Sequence, residues 1–157
     1  ACLAPAASAH PGKHRGQPLV VRGDATVVDS PCGPQGCHLE FAGGTFRGTL
    51  GTGDYAGSFD FDPGSIFPNG EGGVCAPIQG TITLGAGTPD RLVLAVRGDS
   101  CQDGSGDVRT SSFTTVARFT VADGTGAYAH ATGNGTYTSA EDAADHDRMT
   151  IVGRIAL

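Results

Sequence analysis

Tryptophan is absent from this chain, methionine occurs once, and the one lysine, Lys13, stands against nine arginines. With 16 acidic and 10 basic residues and no basic stripe, there is no electrostatic footprint for nucleic acid. No run of 18 apolar residues occurs, which excludes a membrane-spanning helix. The Walker loop, the dinucleotide glycine fingerprint, GxSxG and HExxH are all missing, so no nucleotide, acyl-enzyme or zinc-protease chemistry is legible and no cofactor is expected. Helical periodicity is missing as well. Only "SAEDAADHD" (139–147) reads as a turn or two of helix, with Ser139 as N-cap and Asp142 three residues on.

Glycine and short alternating segments are what the chain does have. There are 26 glycines and 9 prolines in 157 residues, a length that suits one domain with a real core. Apolar and polar residues alternate, which is strand periodicity, over 18–28, 38–50, 54–61, 75–85, 90–99, 111–121, 127–138 and 148–157. Gly43-Gly44 marks a bend or bulge in the second segment. Turn-rich links join the segments in hairpin order, which predicts an all-β up-and-down barrel or a sandwich over 18–157. The last segment is long and apolar and has to pair with an early one, because such an edge left open invites aggregation.

The five cysteines bear on register and compartment. If Leu84 lies opposite Leu92 across the fourth and fifth strands, Ile82 meets Leu94, Gly80 meets Val96, and Cys75 falls opposite Cys101. Cys32 and Cys37, in "PCGPQGC", close a small loop; a zinc site is disfavoured because neither CxxC nor paired histidines accompany them, and no metal is expected. Ala7-Ser8-Ala9 has the form of a signal-peptidase site. Residues 1–9 therefore read as the remnant of a secretory signal and 10–17 as a flexible N-terminal segment. Cleavage removes Cys2 and leaves four cysteines for two bridges in an oxidising, extracellular setting. A lipidated Cys2 is the rival reading. The arginine excess amid alanine and glycine suggests a GC-rich bacterial source.

Gly-Thr-Gly-x-Tyr-Ala occurs twice, in "GTGDYAGS" (51–58) and "GTGAYAHA" (124–131). Each copy is expected to build the same tight hairpin corner. That puts Gly48 opposite Tyr55, Phe46 opposite Gly57, Val121 opposite Tyr128 and Phe119 opposite His130, with both tyrosines on the inner wall. The stretch "FTVADGTGAYAHATGNGTYT" (119–138), echoed by "FRGTLGTGDYAGSF" (46–59), resembles the barrel family of allene oxide cyclases and plant dirigent proteins, above all secreted bacterial members. The resemblance covers residues 38–157. It implies an eight-stranded, calycin-like antiparallel barrel whose interior can hold an apolar small molecule, and homo-oligomers such as related barrels often form. It brings no catalytic residue to a position here, and the two disulfides are not expected from the plant enzymes.

Other motifs have bland readings. The two RGD triplets, 22–24 and 97–99, read as strand ends with turn chemistry, and "DSCQDGSGD" (99–107) as a solvated acidic loop without EF-hand spacing. "EDAADHDR" (141–148) reads as a polar surface turn. His38 and Glu40 share an outward strand face, with Leu39 and Phe41 inward. Tyr55, Phe119, Tyr128 and His130 remain as lumen-facing groups that could orient a ligand. The reading that follows is a secreted, disulfide-stabilised barrel binding a small apolar or phenolic molecule. Two alternatives stay open: a cofactor-free cyclase or dirigent-type enzyme shaping a reactive substrate, and an extracellular structural or adhesion module.

Overall fold

The structure is a computed structural model that describes residues 16–33 and 36–157. The expected signal remnant, Cys2 and most of the N-terminal segment lie outside the described residues. Among the described residues nine strands run in chain order: β1 (Gln17–Gly33), β2 (Gly36–Gly48), β3 (Gly51–Phe61), β4 (Phe67–Pro68), β5 (Val74–Leu84), β6 (Leu92–Gln102), β7 (Phe113–Gly124), β8 (Thr132–Glu141) and β9 (His146–Ala156). All pairings are antiparallel between chain neighbours, except that β3 pairs β5 past the two-residue β4 and β9 pairs β1. The eight long strands thus close on themselves as an up-and-down barrel with no free edge. The long apolar last strand lies against the first, with Val21 opposite Ile151.

The period-two pattern decides the inside. Leu19, Val21, Ala25 and Val27 of β1 face inward, as do Ile78, Ile82 and Leu84 of β5, Leu92, Leu94 and Val96 of β6, and Met149, Ile151 and Ile155 of β9. The β5–β6 register is the one the apolar pattern demands: Leu84 meets Leu92, Ile82 meets Leu94, and Cys75 meets Cys101, to which it is bonded. Cys32 and Cys37 form the second disulfide. Both bridges are of the kind that persists in an oxidising environment. The irregularity in β2 falls between Phe41 and Gly44, at the expected bulge.

The two Gly-Thr-Gly copies are not equivalent corners. In the first, Gly51 takes the left-handed conformation (φ 93°) and the rest of the motif is already strand β3. In the second, Gly126 does so (φ 56°), a 3-10 turn covers Gly126–Tyr128, and β8 begins only at Thr132. The expected facing partners shift accordingly. Gly44 lies opposite Tyr55 and Gly53 opposite Phe46, while Phe119 meets Gly135. The reason is tertiary. Thr125 Oγ1 donates to the Pro89 carbonyl (2.7 Å), the Ala127 amide donates to Asp90 Oδ1 (2.8 Å), and the second copy is thereby fastened to the β5–β6 link.

Residues 139–147 are not helical either. Ser139 and Glu141 lie within β8, and Asp142 accepts from the amides of Ala144 (2.9 Å) and His146 (3.2 Å), tying a tight turn into β9. These two amide bonds hold the Asp142 carboxyl below its ordinary range. Both RGD triplets sit inside strands, β1 and β6, rather than at strand ends.

Candidate functional site

Antiparallel alternation gives the barrel two ends. At one, the links β2–β3, β5–β6 and β7–β8 are fastened down, and Leu50, Val121, Tyr128 and Ala131 pack partly buried against the core. At the other, the β3–β5, β6–β7 and β8–β9 links surround a cavity of about 280 Å³. Its apolar wall includes Leu39, Phe61, Ile78 and Phe113, with Ile66 and Val108 at the rim. Ser100, Ser111, Glu141 and Asp145 supply polar groups. The rim is organised by Gln102 and Asn69. Buried Gln102 Nε2 donates to Ser111 Oγ (2.7 Å) and the Gly106 carbonyl (3.2 Å), and Asn69 Nδ2 donates to the carbonyls of Gln102 (2.8 Å) and Gly104 (3.0 Å).

One inward position deeper on each strand begins a buried layer whose residues do not line the cavity. Below Leu39 comes Phe41, below Phe61 comes Phe59, below Phe113 comes Thr115, and below Glu141 come Ser139 and then Tyr137. Asp147 stands two residues beyond Asp145 and is 2% exposed. Tyr55, Phe41, Phe59 and Tyr137 form a chain of ring contacts with centroids 6.3, 5.2 and 5.5 Å apart, the latter two edge-on. Thr115 Oγ1 donates to Ser100 Oγ (3.0 Å), which links this buried layer to the cavity wall.

Three buried atoms of the core have no hydrogen-bond partner among the described residues: Tyr55 Oη, three inward positions below Phe61, Tyr137 Oη, two below Glu141, and Asp147 Oδ2. They act on one another. Burial pushes the Asp147 carboxyl up to about 6, with the Asp24 charge adding to the rise and the Ser139 hydroxyl opposing it. Burial raises both tyrosines, and the Asp147 charge raises them further. An unpaired buried polar atom costs about 1–3 kcal/mol. Three such atoms in one core are groups that stability alone does not explain.

The four residues singled out from the sequence are spread over the molecule. Tyr55 is buried in the core opposite Leu84 and does not line the cavity. Phe119 is sealed in the core, 1% exposed, with its ring over Gly135 and Gly153. Tyr128 is half-buried at the fastened end, and His130 is exposed there with φ 74°. The expected inward-facing strand at 127–131 is not formed, because the 3-10 turn rotates these side chains out of the alternation. Tyr137, Ser139 and Asp147 went unmarked in the sequence. Their signal is present: Asp147-x-Met149-x-Ile151 puts a carboxylate on the apolar face of a strand.

On the outer wall His38 faces out as expected, and here a third residue appears. His38 Nδ1 lies 2.6 Å from Asp60 Oδ1 and Nε2 lies 3.4 Å from Glu40. The Asp60 hydrogen bond raises the imidazole above its ordinary value. Among the described residues no cluster of ligands suits a metal ion, and no helix is long and apolar enough to cross a membrane. No family model, curated protein or solved structure matches the chain.

Proposed function

We propose that this chain is a secreted, disulfide-braced barrel that binds a small apolar molecule in its mouth. The observation that carries the reading is the cavity of about 280 Å³, walled by Leu39, Phe61, Ile78 and Phe113, with Ser100, Ser111, Glu141 and Asp145 as its polar groups. That volume is just below the roughly 300–1,000 Å³ typical of small-molecule sites and suits a small ligand. Apolar walls supply affinity, and a few convergent polar atoms orient what enters. Secretion is supported by the two disulfides and the Ala7-Ser8-Ala9 pattern.

Native mass spectrometry of protein purified from its own host tests the binding reading. A co-purified small molecule is expected, and it should be displaced in Ile78→Trp, which fills the mouth. A bare polypeptide mass, together with no chemical-shift change at Leu39, Ile78 or Phe113 on adding apolar probes, would sink it.

A cofactor-free cyclase of the allene oxide cyclase or dirigent kind is the second reading. It is favoured by Asp147, whose carboxyl is held near 6 beside two tyrosine hydroxyls and can therefore hold or release a proton near neutrality. Turnover of a reactive apolar substrate that falls with Asp147→Asn while binding persists is the expected sign of it.

A further inference from the structure

We infer that the outer wall of the barrel is a docking surface for an anionic polysaccharide, one that carries sulfate or phosphate groups along a flexible chain. The arginines are scattered along the sequence, and ring closure gathers them. Arg22 on β1, Arg47 on β2, Arg118 on β7, and Arg148 and Arg154 on β9 alternate with inward-facing residues and are exposed on the outer face. They lie on one half of the ring, where β7, β8, β9, β1 and β2 are consecutive neighbours. Between them β8 turns uncharged side chains outward, among them Asn134, Thr136 and Thr138. Among the described side chains, the exposed carboxylates of these five strands are Asp24, Glu40 and Asp123. Five guanidinium groups against three carboxylates is a local excess of cations in a chain whose net charge is −6.

The wall carboxylates do not neutralise these arginines. Every ion pair among the described residues involves a histidine. Glu40 is turned to His38, the Asp123 carboxylate accepts from the Gly124 amide (2.8 Å), and Asp24 lies opposite Arg148 without an ion pair. Arg22 stands directly opposite Arg47, a like-charge cross-strand pair that weakens a sheet. In a chain with carboxylates in excess, stability alone favours the opposite arrangement. A guanidinium fork matches the oxygens of a sulfate or phosphate ester. Curvature decides what carries those groups. The arginines span about half the circumference of a closed barrel. A DNA duplex, straight over about 150 base pairs, touches such a convex wall along one line, whereas a flexible polysaccharide follows it. The links around the mouth carry Asp62, Asp103, Asp142 and Asp145, so an anionic chain is held to the wall and away from the cavity.

The test uses the full oxidised chain and heparin as the sulfated polysaccharide. Near neutral pH and at low salt the chain should be retained on immobilised heparin in spite of its net charge of −6. Contacts from five arginines predict a slope of roughly 3–4 for log Kd against log salt. Arg22→Gln and Arg47→Gln should each weaken heparin binding roughly five-fold. Arg91→Gln, which removes the same charge from the fastened end, should bind as the wild type does. All three side chains are exposed, and thermal melts of the variants should match the wild type. Flow-through of the wild type at low salt, or equal weakening by Arg91→Gln, overturns the inference. Binding of a duplex DNA fragment as tight as that of heparin overturns the choice of a polysaccharide.

Discussion

At the scale of single residues, Asp147 is where packing and chemistry conflict. Its neighbours along the strand face, Met149 and Ile151, are ordinary core residues, and an apolar side chain at 147 would suit the fold better. The conflict has a pH signature. The folded carboxyl titrates near 6, and its unfolded counterpart titrates near 4. Between these values the folded state keeps a proton that the unfolded state has lost, so raising the pH through this window lowers stability. A shift of about two units corresponds to about 3 kcal/mol of destabilisation at neutral pH. Ligand-free Asp147→Asn should therefore be the more stable protein near neutral pH, and urea melts should show the gap closing as pH falls from about 6 to about 4. A gap that stays constant with pH would mean that the carboxyl is not the cause. This residue also shows why the buried polar groups were hard to read in the sequence. Asp147 sits in "EDAADHD", where Asp142, Asp145 and Asp147 look alike. Only the phase of the strand that follows separates the buried one from the turn residues, and that phase was obscured by reading 139–147 as helix.

Secondary-structure elements were legible where two signals agreed. In β5 and β6 the apolar alternation and the cysteine positions set one register, and it is the register found. Removing the Cys75–Cys101 bridge by a double alanine change should lower unfolding free energy by roughly 3 kcal/mol, read from guanidinium melts. The repeated Gly-Thr-Gly motif had composition alone behind it, and contacts from elsewhere decided its two shapes. Tyr55, 3% exposed in the core, and Tyr128, half-buried at the fastened end, should therefore respond differently to the same change. Tyr55→Asp should cost more than about 4 kcal/mol or prevent folding, and Tyr128→Asp about half of that. Equal losses would restore the two corners to equivalence. Strands β8 and β9 owe their close approach to a pair of glycines under one ring. A Cβ at Gly153 would lie 2.7 Å from Phe119 Cζ and 2.4 Å from the Asn134 carbonyl oxygen. Gly153→Ala should cost about 1–3 kcal/mol, because the ring has nowhere to move in a filled core; thermal melts read it directly.

Over the whole molecule, the barrel is filled at one end and open at the other. Hairpin order and the need to cover the last strand made the closed barrel legible in advance. The open mouth was not, since it depends on how three links splay around Gln102 and Asn69. Ring closure has one more consequence. Gln17 at the start of β1 lies opposite Ile155 near the end of β9, so the first and last strands are neighbours like any other pair. Every long strand has the same two-sided hydrogen-bonded setting, and the polypeptide's starting point is not marked in the architecture. A circularly permuted chain, with Ala156 joined to Gln17 by a short flexible linker and new termini at Gly87, keeps all eight pairings. The Cys75–Cys101 bridge still clasps the two strands that the cut separates. Such a chain should melt cooperatively and show the same dispersed core methyl signals for Leu94, Ile82 and Ile151.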